Sequence, residues 1–161
     1  MALLYRAYEL TSRTNRFLRA FMVLQKKYSA RLLEDYTLNS RDGNKHQLLE
    51  IIRITNAEYI FIFPPMSCVS CNQEILNKLS HILETVQNVV IITSPAEMNT
   101  IFLYSGAEHN RRYPIFLTEA NDLFEFGHFN PYVLNVGEGK IIKSICILDR
   151  DNLDVLYDYL K

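Results

Sequence analysis

The stretch Tyr59-Ile60-Phe61-Ile62-Phe63-Pro64-Pro65-Met66-Ser67-Cys68-Val69-Ser70-Cys71 decides how this chain is read. Its first five residues are a continuous aromatic and β-branched run, the pattern of a strand covered on both faces. Pro64-Pro65 ends that run, because proline has no N–H to give to a central ladder. Beyond the cysteines, Ile75, Leu76, Leu79, Ile82, Leu83 and Val86 recur on one face of a helix, and Val89–Thr93 is a second buried-strand run. Strand, helix and strand at this spacing form a βαβ unit with a right-handed crossover. The predicted class is therefore α/β, a central mixed sheet flanked by helices.

The flanking sequence extends that unit in both directions. Asp35-Tyr36-Thr37-Leu38 alternates as a short strand, Arg41-Asp42-Gly43-Asn44 is a turn signal, and residues 47–54 form a short helix ending at Asn56. After the second strand come a helix over 96–105, an extended run over 113–118 and a helical turn over 120–124. Residues 131–136 and 140–148 are two strands joined at Gly137-Glu138-Gly139 as a hairpin. A last helix over 151–160 presents Leu153, Leu156, Tyr157 and Leu160 on its apolar face.

With 161 residues, 48% hydrophobic and 22% charged, the chain has the length and composition of one domain with a buried core. No uninterrupted apolar stretch reaches the roughly 18 residues of a spanning helix. A net charge of −1 gives no case for nucleic acid as a partner. Three cysteines are too few for a disulfide scaffold.

The charge is unevenly placed. Residues 1–31 carry seven basic side chains against Glu9 alone, a net of +6, and the remainder has a net of −7. This divides the chain into a basic N-terminal helix, 1–31, and a domain over 32–161. The helix has no Gly or Pro up to Tyr28, and Leu3, Ala7, Leu10, Thr14, Phe17, Phe21, Leu24 and Tyr28 form a seam at steps of four and three. Three readings of that seam stay open: packing on its own domain, self-association, or lying on a membrane surface. Charges interrupt the first ten residues before any signal-peptide core forms, and a membrane tether upstream is compatible with the sequence.

The residues with chemistry to offer are Cys68 and Cys71. Two cysteines three apart across the first turn of a helix are close enough for a disulfide. The N–H groups and dipole at a helix N-terminus favour a thiolate, the attacking species in disulfide exchange. Cys68 is then the nucleophile, and Cys71, one turn further in, is placed to resolve the mixed disulfide. Half a zinc site and an inert pair are the other readings of C-x-x-C. Cys146, between Ile145 and Ile147, reads as a small core residue, and His46, His81 and His109 fall in polar, solvated surroundings.

With strand, C-x-x-C, helix, strand and a proline-led hairpin in that order, the chain resembles the thioredoxin-fold proteins, most of all the TlpA-type thiol-disulfide oxidoreductases, from about residue 33 to the end. The family's D-F-T-L-x-x-x-D-G-K pattern is met by Asp35-Tyr36-Thr37-Leu38-Asn39-Ser40-Arg41-Asp42-Gly43-Asn44. Its W-C-x-x-C-x-x-E motif is met by Ser67-Cys68-Val69-Ser70-Cys71-Asn72-Gln73-Glu74, and its G-K-I-I by Gly139-Lys140-Ile141-Ile142. The chain departs from the family at Ser67, where tryptophan is usual, at Val69-Ser70, where Gly-Pro is common, and at Tyr132, where threonine is usual.

The resemblance implies a thioredoxin-like three-layer sandwich, catalysis by Cys68 and Cys71 without a dissociable cofactor, and protein thiols or disulfides as partners. It implies that Pro131 follows a cis peptide bond, with Asn130 and Pro131 shaping an edge where a substrate chain docks; an ordinary strand-start proline is the other reading. Glu74 matches a family glutamate and is either a proton acceptor or a solvated first-turn acid. The family's usual setting is extracytoplasmic. Two alternatives remain: a redox-inactive interaction module, and a Cu or Zn module using Cys68, Cys71 and His128.

Overall fold

Tyr59–Phe63 forms β3, with Ile60 and Ile62 on one face of the sheet and Phe61 and Phe63 on the other. All four are fully buried, which is why the run shows no polar alternation. The computed structural model describes residues 33–65, 75–78, 80, 81, 83, 86–104, 113–125, 130–137 and 142–148. Within them, β1 is Thr37–Asn39, β2 Lys45–Gln47, β4 Val89–Thr93, β5 Ile115–Leu117, β6 Tyr132–Val136 and β7 Ile142–Ile147. The helices are α1 (Leu48–Thr55), α2 (Met98–Tyr104) and α3 (Asn121–Glu125), and residues 75–78, 80, 81 and 83 of the β3–β4 crossover are also helical.

The seven strands form one mixed sheet in the order β2-β1-β5-β4-β3-β6-β7. The β3–β4 and β4–β5 pairs are parallel, and every other pair is antiparallel. Both faces are covered. One packs Leu48 and Ile51 of α1 and Leu123 and Phe124 of α3 over Ile60, Ile62, Val90, Ile92 and Leu134. The other packs Ile75, Leu76 and Leu83 of the crossover and Ile101 of α2 over Phe61, Phe63, Val89, Ile91 and Val133. The architecture is the expected three-layer α/β sandwich.

Local chemistry accounts for the edges of these elements. Gly43 takes φ +85°, a conformation that side chains with a Cβ rarely adopt, and the turn closes with Gly43 N–H donating to the Ser40 carbonyl at 2.9 Å. The N-terminus of α1 is satisfied from outside the helix: Leu48 N–H donates to the Tyr36 carbonyl (2.9 Å), and Leu49 N–H to Asp35 Oδ1 (3.0 Å). The Asp-Tyr pair ahead of β1 thus caps a helix more than ten residues later. At the other end Asn56 adopts the left-handed conformation (φ 50°), and its N–H bonds the Ile52 carbonyl.

In the β6–β7 hairpin, Asn135 pairs with Ser144 but Val136 pairs with Ile142, so Lys143 is an extra residue in β7. This bulge brings both Ile142 and Ile145 to the α1 face, although they are three residues apart.

Two differences from the sequence reading have a physical cause in the described contacts. The first strand begins at Thr37 rather than Asp35, because the backbone of Tyr36 and the side chain of Asp35 are engaged with α1. Lys45-His46-Gln47, polar and with no strand pattern, is β2, held by its pairing with β1 across the Gly43 turn. The helices expected over 1–31 and 151–160 and the expected hairpin tip at Glu138-Gly139 lie outside the described residues.

Candidate functional site

The chain enters the crossover from the carboxyl end of β3. Phe63 pairs with Thr93 at the last rung of β3–β4, and on the other side Ile62 pairs with Tyr132, which places Pro131 at the next step beside Phe63. Pro64 is buried and Pro65 exposed. The carboxyl ends of β3 and β4 and the start of β6 therefore meet at one end of the sheet. This is the end of the sheet at which the chain leaves β3 through Pro64 and Pro65.

Cys68, Cys71, Glu74 and His128 lie outside the described residues. What the structure describes is their frame: Cys68 follows Phe63 by five residues, and Cys71 precedes the buried Ile75 by four. Ile75 belongs to the same core cluster as Phe61, Phe63 and Ile91. The far end of the crossover is tied down by Tyr113, a buried residue whose hydroxyl donates to the carbonyls of Leu83 and, at 3.2 Å, Val86.

Asn130 is exposed and Pro131 buried at the head of β6. The Pro131 carbonyl accepts a hydrogen bond from Leu148 N–H at 2.7 Å, which continues the β6–β7 ladder past Tyr132. No peptide bond among the described residues is cis, the bond between Asn130 and Pro131 included, which corrects the expectation of a cis-proline. Pro131 stands here as a strand-start proline, a position where its missing N–H interrupts no ladder bond.

Cys146 is in β7 as expected, with its backbone opposite Val133. His46 differs from the solvated side chain expected of it. It is half-buried on β2, with its ring edge-on to Phe116 (centroids 5.5 Å apart, planes at 72°). The pairing of β2 that was not legible in the sequence is what brings it there. His81 is exposed. Among the described residues no three His, Cys, Asp or Glu side chains gather to hold a metal ion.

The sequence reading passed over the polar groups at this end of the sheet. Thr93, Ser94 and Thr118 are the buried polar residues among those described, all at the ends of β4 and β5. Ser94 Oγ accepts from Glu97 N–H and Thr118 Oγ1 from Ala120 N–H. Thr93 Oγ1 is buried with no hydrogen-bond partner. The available signal was a threonine and a serine closing the apolar run Val89-Val90-Ile91-Ile92.

Burial of Tyr36, helped by the negative charges of Asp122 and Glu34 and by its bond to Glu34, holds its phenol well above the usual range.

No family model matches this chain, and no curated protein matches it in sequence. Solved structures do share its fold. The thioredoxin domain of a thiol-disulfide oxidoreductase from Bacteroides vulgatus is 10% identical, with a TM-score of 0.51 over 83% of this chain and 98% of that one. A thiol peroxidase from Chromobacterium violaceum is 11% identical, with a TM-score of 0.53 over 82% of this chain and 85% of that one. The fold is thioredoxin-like; identities this low carry the fold and no more.

Proposed function

We propose that this protein exchanges thiols and disulfides with protein or small-thiol partners through Cys68 and Cys71. The observation that supports the reading is the position of the pair in the topology. It falls between the carboxyl end of a buried parallel strand, β3, and a helical segment that packs back over that strand. A cysteine at such a junction is exposed to the N–H groups of the helix, which lower its pKa and raise its thiolate fraction.

The chemistry follows in two steps. The Cys68 thiolate attacks one sulfur of a partner disulfide; a Cys68–partner bond forms, the partner's own S–S bond breaks, and one partner thiolate leaves. The Cys71 thiolate then attacks Cys68 Sγ, forming the Cys68–Cys71 disulfide and releasing the second partner sulfur as a thiolate. Two electrons pass from the dithiol to the partner, and the released thiolates take up protons from solvent. The reverse sequence oxidises a partner dithiol. Glu74 accepts the proton of a thiol, and Asn130 with Pro131 borders the docking edge. The trans bond before Pro131 leaves that edge with a different shape from the one the family resemblance implies.

The setting we propose is extracytoplasmic, as for the family resembled. Among the described residues no helix is long and apolar enough to cross a membrane. The experiment that tests the reaction is dithiothreitol-driven insulin reduction. Wild type accelerates it and Cys68→Ser does not; equal rates for the two would refute the exchange reading.

A further inference from the structure

Asp42-Gly43 is the chain's one Asp-Gly pair, and no Asn-Gly pair occurs in it. In such a pair the side-chain carbonyl carbon is open to the next backbone nitrogen, because glycine has no Cβ to shield it. Both residues are exposed, in the turn that joins β1 to β2. A Cβ built on Gly43 would meet nothing within 4 Å, so the turn is open there.

The two groups that would react are nevertheless both engaged. Ser40 Oγ donates to Asp42 Oδ1, and Asn44 Nδ2 donates to Asp42 Oδ2. Gly43 N–H donates to the Ser40 carbonyl at 2.9 Å. Hydrogen bonds to a carboxylate favour its charged form, and the bond from Ser40 foremost holds the Asp42 carboxyl below the usual range. A carboxylate resists attack by a nitrogen, since the oxygen it must expel is charged. The neutral acid expels water instead.

We propose that Asp42 is a spontaneous modification site, restrained by Ser40 and Asn44, which converts to isoaspartate when the turn opens. It stands apart from the chemistry of the cysteines. In the step, the Gly43 nitrogen attacks Cγ of the neutral Asp42 acid. A C–N bond forms, a C–O bond breaks, and the nitrogen's proton leaves with the hydroxyl as water. A second water opens the resulting succinimide at the Asp42 backbone carbonyl carbon, breaking its bond to the Gly43 nitrogen. The main chain then runs through Cβ and Cγ and is one atom longer. Nothing is oxidised or reduced.

The consequence falls on β2. Ser40 N–H donates to the Asn44 carbonyl (2.8 Å) and Leu48 N–H to the Tyr36 carbonyl (2.9 Å), on either side of the paired residues Leu38 and His46. By the alternation of an antiparallel ladder, the His46 N–H therefore faces Leu38. A lengthened turn loses the Ser40–Asn44 closure and releases β2.

The test incubates the full chain at neutral pH and reads isoaspartate with an isoaspartyl carboxyl methyltransferase and labelled S-adenosylmethionine. Peptide mapping then locates the label. It accumulates on the peptide that holds Asp42 and is absent in Asp42→Glu. Ser40→Ala and Asn44→Ala each accelerate it about fivefold, the ratio that one ordinary hydrogen bond supports, and Ser40→Thr keeps the wild-type rate. In urea, where the turn is open, wild type and both alanine variants converge on one faster rate. Hydrogen exchange of the modified fraction finds the His46 amide unprotected. Label at another residue, or alanine variants no faster than wild type while folded, overturns the proposal. So does a rate difference that persists in urea, or a His46 amide that stays protected after modification.

Discussion

Replacing Tyr113 by phenylalanine isolates a polar tie between the crossover and the rest of the domain. The ring is 3% exposed and packs in the core cluster with Phe61, Phe63 and Leu83. Its hydroxyl donates to the carbonyls of Leu83 and Val86, at the end of the crossover opposite to the cysteines. Tyr113→Phe keeps the ring and deletes the donor, leaving these carbonyls without it. A hydrogen bond contributes about 1 kcal/mol net, and a buried acceptor left without a partner costs about 1–3 kcal/mol. The expected loss is about 2 kcal/mol. With a urea dependence of about 2 kcal/mol per molar for a domain of this size, the unfolding midpoint falls by about 1 M. Tyr113→Leu, which also removes ring contacts, falls further. A loss below about 0.5 kcal/mol in Tyr113→Phe would show that the hydroxyl contributes no net stability and that the crossover is anchored by packing alone.

Phe61→Ala removes a fully buried ring from the central strand, and a cost of about 3–5 kcal/mol is expected in calorimetric melting, much of the stability of an ordinary domain. Tyr36 holds its proton more tightly folded than unfolded, so stability is intact below the unfolded phenol value near 10 and falls as pH rises beyond it; urea melts across that range show the decline, and Tyr36→Phe removes its share. Gly43→Ala loses about 1 kcal/mol, because an alanine must adopt φ +85° there. By contrast, the three atoms nearest a Cβ on Gly137 all belong to the flexible Lys143 side chain, which must swing aside, and Gly137→Ala stays within about 0.5 kcal/mol in the same melts.

The parts of the fold that could be read from the residues are those where one physical requirement dominates. Tyr59–Phe63 and Val89–Thr93 are apolar almost throughout because both of their faces are covered, and their limits match the sequence reading residue for residue. Asn56 ends α1 because it tolerates the left-handed region. β2 was hidden because its strand state comes from a partner across a turn and from nothing in Lys45-His46-Gln47 itself. The bulge at Lys143 was hidden for a related reason: it is defined by the register of two strands, a long-range property. At the candidate site the sequence supplies the chemistry, in Cys68 and Cys71, while the structure supplies the frame and the buried hydroxyl of Thr93. A threonine in a β-rich run looks like any other strand residue until its burial and its missing partner are known.

The central claim is that Cys68 and Cys71 act as one two-electron couple. Equilibrating the protein in glutathione buffers of graded potential, quenching with acid and weighing the intact chain tests this most directly. The predicted result is a single transition between the dithiol and an internal Cys68–Cys71 disulfide, with a mass loss of about two hydrogens and the slope of a two-electron process. Glutathione adducts accumulating independently on the two cysteines, with no internal disulfide at any potential, would contradict it.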